Sequence, residues 1–481
     1  MSEPAQVVSK PQIKKVLGVF SLAMINVAAV LSIRNFPSMA IYGWSCIGWY
    51  LLGTIFFLLP ITFAGAELAT GWPQGGGVYT WVKQAFGEKR GFIALFCEWS
   101  NNLVWFPTVL SFIASTLAFA LTPELASNPW YMFTIMMVAF WGTTAVAYFG
   151  EEFSAKFGNV GVVLGSIIPA VLIILLGVAW VVMGAPLAIP HFSVGAMIPQ
   201  ISLATLPFFA TIILLFSGME MAGFHALEVR NPQTDFPKAM GLSTLIILFC
   251  TIFATLAISF AVPVDKLNLA SGVMQAIQYF FTTVGIDWLI GPMAILITIG
   301  GIALLASWLI GPAKGLGIVA EEGNMPPMFD HTNKHGAPVG VLITQAIIGS
   351  LISLLYVFMP SVNQAYWILS AMTVELLCIV YVLVFASLIK LRYSQPNTPR
   401  PYTIPGGKVG VWLVGGLGLF GVTCAFIVGL IPPSYYSNAA EYVGSVLLGT
   451  ILLAAPPLVF MKLKKPSWMP EEKNKDKGDL S

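Results

Sequence analysis

The feature that most constrains this chain is a succession of apolar stretches, each of about 18 residues or more, bounded by charges or by Pro/Gly clusters. A stretch of that length crosses the hydrocarbon core of a bilayer as a helix, because there every backbone N–H and C=O must find its partner within the segment. Twelve such spans are predicted, at 16–43, 45–66, 92–121, 130–148, 159–183, 201–229, 239–262, 284–320, 338–358, 364–391, 409–431 and 441–463. Composition agrees: 57% of residues are hydrophobic and 9% are charged, against about 25% charged in a soluble domain. The expected fold class is an all-α membrane protein with twelve transmembrane helices.

Lys and Arg orient the spans, since basic loops stay in the cytoplasm. Lys10, Lys14 and Lys15 precede the first span, Lys83, Lys89 and Arg90 follow the second, and the later basic residues fall on the same side. Of 23 basic residues, only Lys266 is placed outside and only Arg34 within the membrane. The expectation is a multi-pass protein of the inner (cytoplasmic) membrane with both termini cytoplasmic: residues 1–15 as N-terminus, 16–463 as the helical domain and 464–481 as a solvated tail. The first span is too long and too apolar for a cleaved signal peptide. A net charge of +2 distributed in this way offers no surface for nucleic acid. The lipid bilayer is the evident partner, and a homo-oligomer is compatible with the chain. Cys46, Cys97, Cys250, Cys378 and Cys424 all lie in apolar runs without metal-like or paired spacing, and read as reduced thiols. The loops carry no phosphate-binding loop, metal cluster or Ser/His/Asp constellation. No cofactor, no metal and no enzymatic activity are expected, and transport driven by a solute or ion gradient is the economical function.

Spans one and six are about 42 Å of helix against a core of about 30 Å, and each holds an interruption: VLSIRNFP (30–37) and SGMEMAGFHALE (217–228). Paired interruptions in two halves point to an inverted repeat with a site at the midplane. Residues 16–183 and 201–391 then form a 5+5 inverted repeat with discontinuous helices 1 and 6, and 409–463 stand apart. Four ionisable residues fall inside spans: Arg34, Glu98, Glu220 and Glu375. Charges at that depth mark functional positions, because their burial is costly. Stepping through 98, 101, 102 and 105 puts Glu98, Asn101, Asn102 and Trp105 on one helix face. Arg34 has two candidate partners, a buried carboxylate (Glu220 or Glu375) and the acidic group of a substrate.

The stretches AELATGWPQGGGVYTWVKQAFGEKRGF (66–92), GMEMAGFHALEVRNPQTDFPKAM (218–240), LNLASGVMQA (267–276), ASWLIGPAKGLGIVAEEGNMPPMFDHTNKHGAPV (306–339) and PYTIPGGKVG (401–410) carry a resemblance. The chain resembles the amino acid, polyamine and organocation superfamily, and within it the bacterial glutamate/GABA antiporters. The resemblance implies a small-molecule amino acid substrate, exchanged for a related amino acid or amine by alternating access. It implies substrate contacts at Ala29, Val30, Leu31, Ser32, Ser217, Gly218, Ser307 and Trp308, and the intramembrane Arg34 and the polar-face Asn101 are further candidates on their own chemistry. Glu220, the glutamate of the G-x-E motif, would act as gate and acid sensor; Glu98 and Glu375 are candidates for further gating or proton-coupling carboxylates from their depth in the membrane alone, and Glu375 stands where relatives usually carry an uncharged residue. A proton-coupled amino acid or amine importer is the alternative. Two departures stand out. The Gly-rich run that many members carry in helix 1 is replaced by Ala28-Ala29-Val30-Leu31-Ser32, and Ser307 lacks the neighbouring hydroxyl of sodium-coupled relatives. Lys156 and Asn159 precede the core of span five and supply no lysine within it.

Overall fold

The computed structural model describes residues 17–73, 77–149, 163–203, 205–220, 229–433, 436 and 438–468, with Pro232 and Ser307 described by their backbone alone. The described residues are helical, joined by short loops, and two isolated bridges are their sole β pairing. Ten helices are long and apolar enough to cross a membrane, and an eleventh crossing arises from a bent pair.

That pair is α1 (Val19–Val30) and α2 (Phe36–Ala40). Then follow α3 (Gly43–Gly71), α4 (Val78–Phe86), α5 (Glu88–Leu121), α6 (Pro129–Tyr148), α7 (Val163–Val182) and α8 (Pro207–Phe216). The second half holds α9 (Pro232–Ala261), α10 (Gly272–Val284), α11 (Ile290–Glu321), α12 (Val339–Phe358), α13 (Val362–Ser394), α14 (Gly407–Gly429) and α15 (Ala439–Leu463).

Most expected spans have a helical counterpart, with informative differences. Span six was expected from 201, but its helix starts at Pro207, where a residue without an N–H fits the first turn. Span two was drawn to 66, yet α3 runs to Gly71 and carries Glu67 into the interior. The connection between spans two and three contains α4, whose apolar residues Val78, Tyr79, Trp81 and Val82 are buried; Gly75 and Gly76 ahead of it lie outside the described residues. Asn231 flanks α9 and Pro232 opens it, where a missing N–H is no loss.

The bundle has a centre and a rim. In the most apolar stretch of α5 and of α13, 83% of residues are buried, against 17% in α15, so α5 and α13 are interior helices and α15 lies on the rim. Two buried hydroxyls of α5 bond within their own helix, Ser111 to the Thr108 carbonyl at 2.9 Å and Ser115 to the Ser111 carbonyl at 2.5 Å, so these polar side chains sit at depth with their donors satisfied. α5 packs on α11 and α13, and α9 packs on α1 and α7. Where α7 meets α11, a Cβ on Gly165 would stand 2.1 Å from the Gly300 Cα, so two glycines permit the crossing. The first span is tied to α9: Asn26 Nδ2 donates to Ser243 Oγ at 3.3 Å, and Ser259 Oγ to the Ala40 carbonyl at 2.8 Å.

At the end of the bundle that holds most of the Lys and Arg, the 1%-exposed Glu67 is the hub of an ion cluster. It accepts from Arg392 Nη2 at 2.5 Å and from the Ile404 amide at 2.8 Å, and Arg400 Nε lies 3.5 Å away. Arg400 also donates to the Gln395 carbonyl at 2.8 Å and lies over the Trp72 ring at 5.0 Å. The 395–406 connection is thereby fastened to the end of α3. Burial, aided by the charge of Glu67, pushes the Tyr402 phenol of this connection up to about 12.

Candidate functional site

α1 stops at Val30 because Leu31 (φ −73, ψ 101) and Ser32 (φ −122, ψ 113) take extended backbone, and the axis turns by 42° before the helix resumes at Ile33. These dihedrals are open to any L-residue, so the break needs no glycine, and the Ala-Ala-Val-Leu-Ser sequence accommodates it. Pro37, which lacks an N–H, sits in the first turn of α2 where none is required. α8 ends in the matching way: Ser217 is extended (ψ 148), and Gly218 has φ 108. A Cβ at Gly218 would stand 3.1 Å from the Ala29 carbonyl oxygen, so the two breaks touch. Replacing Gly218 with Ala is expected to cost about 1–3 kcal/mol in strain. A melting temperature equal to that of the parent would show that the left-handed backbone there is dispensable.

The two breaks, α5, α11 and α13 enclose a cavity of about 60 Å³, room for a few water-sized groups. Of the residues expected to contact substrate, Ala29, Val30, Leu31, Ser32, Arg34, Asn101, Ser217, Gly218 and Trp308 line it. Glu98 and Glu220 line it too, and the whole 98, 101, 102, 105 face of α5 forms one wall. Asn101 and Asn102 both turn their amide nitrogens back to the Glu98 carbonyl, at 2.6 and 2.9 Å, which fixes their side chains. The Trp308 and Trp105 rings lie 5.8 Å apart and make an aromatic corner. Ser307 belongs to α11, but its side chain is not described, and Lys156 and Asn159 lie outside the described residues.

Glu220 Oε1 accepts from the Tyr381 hydroxyl at 3.0 Å, and Oε2 accepts from the Gly218 amide at 3.3 Å. The carboxylate thus holds the broken end of α8 against α13. Glu375, grouped with it on sequence grounds, does not line this cavity. It is fully buried near Gly429 of α14, and among the described residues neither carboxylate oxygen has a hydrogen-bond partner.

Arg34 corrects one expectation directly: among the described residues it pairs with neither Glu220 nor Glu375. Its Nη1 donates to Thr108 Oγ1 at 2.6 Å and to the Tyr366 hydroxyl at 3.3 Å. The guanidinium carbon lies 5.5 Å from the Trp105 ring and 5.8 Å from the Tyr366 ring. Among the described residues, Nε and Nη2 are buried without a hydrogen-bond partner. Two aromatic faces and two neutral acceptors hold a cation that is 2% exposed and lines the cavity. Sequence reasoning missed Thr108, Tyr366 and Tyr381. Thr108 was within reach, since it lies three residues past Trp105 on the same face. A tyrosine in an apolar span, by contrast, does not reveal which charged group it will meet.

Interrupted helices around a buried cavity with a fixed cation, inside a bundle of membrane-length apolar helices, are the arrangement of a membrane transporter. The sequence profile of the amino acid permease family matches residues 17–453, and the chain belongs to that family. An uncharacterised transporter of Legionella pneumophila is 39% identical over 93% of this chain and 97% of its own. A glutamate/gamma-aminobutyrate antiporter of Lactococcus lactis is 28% identical over 94% of this chain and 91% of its own. A probable agmatine/putrescine antiporter of the same species is 23% identical over 94% and 96%. The crystal structure of MhsT in complex with L-phenylalanine superimposes with a TM-score of 0.56 at 14% identity, covering 86% of this chain and 99% of that one, which shows a shared fold.

Proposed function

We propose that the protein is an amino acid antiporter of glutamate/GABA type, exchanging an amino acid for a related amino acid or amine by alternating access. The observation that carries this proposal is the pairing of freed backbone at the two helix breaks with a buried, partly unpartnered guanidinium at one cavity. The carbonyl ends of α1 and α8 meet there and suit a substrate ammonium, because helix C-termini carry partial negative charge. Arg34 suits an acidic group, with Asn101 and Trp308 closing the site beside it and Ser307 on the same helix as Trp308. The chain then crosses the membrane twelve times. Residues 16–183 and 201–391 are then inverted repeats, with 409–463 outside them and both termini on the cytoplasmic side. The 28% identity to the Lactococcus lactis antiporter supports exchange of this kind.

Glu220 is the gate in this proposal. A carboxylate accepts from both Tyr381 and Gly218; protonation turns one oxygen into a donor facing donors, so acid loosens the tie between α8 and α13. Glu220→Gln, which cannot change charge, is expected to flatten the acid dependence of exchange. An unaltered pH profile in that variant would remove Glu220 from the gate. Two carboxylates on one cavity, Glu98 and Glu220, favour a proton-coupled importer as the second reading. Counterflow in proteoliposomes separates the two across glutamate, glutamine, GABA, arginine and neutral amino acids. An exchanger takes up label faster when preloaded with unlabelled amino acid, whereas an importer responds mainly to an imposed pH gradient.

A further inference from the structure

A second concavity, of about 490 Å³, lies apart from the transport cavity where α5, α13 and α14 meet. Its walls include Ile93, Ile379, Val382, Leu383 and Phe426, and the one charged residue on them is Arg90. The side chains beside it on α14 face outward, with Phe420 58% and Ile427 60% exposed, so the trough opens toward the bilayer rather than into the bundle. One end is cationic. The Arg90 guanidinium lies 5.9 Å from the Phe86 ring and donates from Nη1 to the Phe86 carbonyl at 3.1 Å, while Lys390 Nζ lies 4.5 Å from the same ring. Both cations are exposed, and among the described residues neither forms an ion pair. They stand at the start of α5 and near the end of α13, the basic end of the bundle.

We propose that this trough is a binding site for an anionic phospholipid. An apolar slot that opens to hydrocarbon receives acyl chain, and a pair of cations with no carboxylate of their own receives the headgroup phosphate. The cations favour a lipid whose phosphate charge is not offset by an ammonium in the same headgroup, since each Lys or Arg near the membrane surface adds to the attraction of anionic lipid. The substrate cavity is a separate space lined by other residues, so the site stands whether the protein exchanges or imports.

The test is native mass spectrometry of the delipidated full-length protein, titrated with phosphatidylglycerol and with phosphatidylethanolamine of matched chains. Phosphatidylglycerol is expected to bind more tightly. Arg90→Gln and Lys390→Gln are each expected to reduce that preference roughly fivefold and to leave phosphatidylethanolamine binding unchanged. Leu383→Trp, which fills the trough, is expected to weaken both lipids. Both cations are exposed, so their loss leaves the fold intact, as an unchanged melting temperature will register. Equal affinity for the two lipids in the parent overturns the proposal, as does a preference that persists when Arg90 and Lys390 are both replaced. Binding of both lipids that is indifferent to Leu383→Trp places them elsewhere and overturns it equally.

Discussion

Arg34→Ala is expected to weaken the apparent affinity for a substrate with an acidic group by roughly ten- to a hundredfold, the loss of a charged hydrogen bond of about 1.5–3 kcal/mol. The reason lies in what the guanidinium lacks. Thr108 and Tyr366 take one nitrogen, and among the described residues the other two are buried without acceptors, in a residue that lines the cavity. A buried donor left unmade is costly, and a carboxylate presents the oxygen pair that a guanidinium fork accommodates. Arg34→Lys, which keeps the charge and loses the fork, should fall between parent and Ala. Counterflow measured over a range of substrate concentrations checks this, with melting temperature as the second readout. Because Arg34 has no carboxylate partner among the described residues, its removal also relieves an uncompensated burial, so the Ala variant should melt no lower than the parent. A variant that melts early yet binds substrate as the parent does would make Arg34 a structural residue only.

Glu67→Ala is expected to destabilise the protein by about 3–5 kcal/mol, the range for removing one partner of a buried ion pair. The Arg392 and Arg400 side chains are 15% and 5% exposed, so both guanidiniums would remain near one another in a poorly hydrated place, and the Ile404 amide would lose its acceptor. The loss is large beside the 5–15 kcal/mol that holds a typical domain, and should appear as low yield and early melting. Glu67→Gln should be milder, since its side-chain oxygen can still accept from Ile404. If Glu67→Ala melted with the parent, the cluster at the end of α3 would not hold the 395–406 connection in place.

These two residues also mark how much the sequence disclosed. Arg34 was conspicuous because one charge stands out in an apolar run. Glu67 was missed because a span boundary drawn at 66 left it in a loop, where a glutamate needs no explanation; only the continuation of α3 to Gly71 shows that it is interior. The helix breaks were legible as paired interruptions in two long spans. The lack of glycine in the first was no obstacle, since Leu31 and Ser32 adopt extended backbone freely. The polar face of α5 was legible from spacing alone, because helical geometry fixes which residues of one element share a side.

What the chain determined by itself is therefore local. Apolar length requires spanning helices, the charge pattern suggests their direction, and the two interruptions place free backbone at membrane depth. What the tertiary structure decided is pairing. It put Arg34 among Thr108, Trp105 and Tyr366, separated Glu375 from the cavity that holds Glu220, and joined Glu67 to arginines more than 300 positions away. Periodicity tells which side of a helix turns inward, but which other helix it then meets depends on how the whole bundle packs, and the partner of a buried charge is set by that meeting.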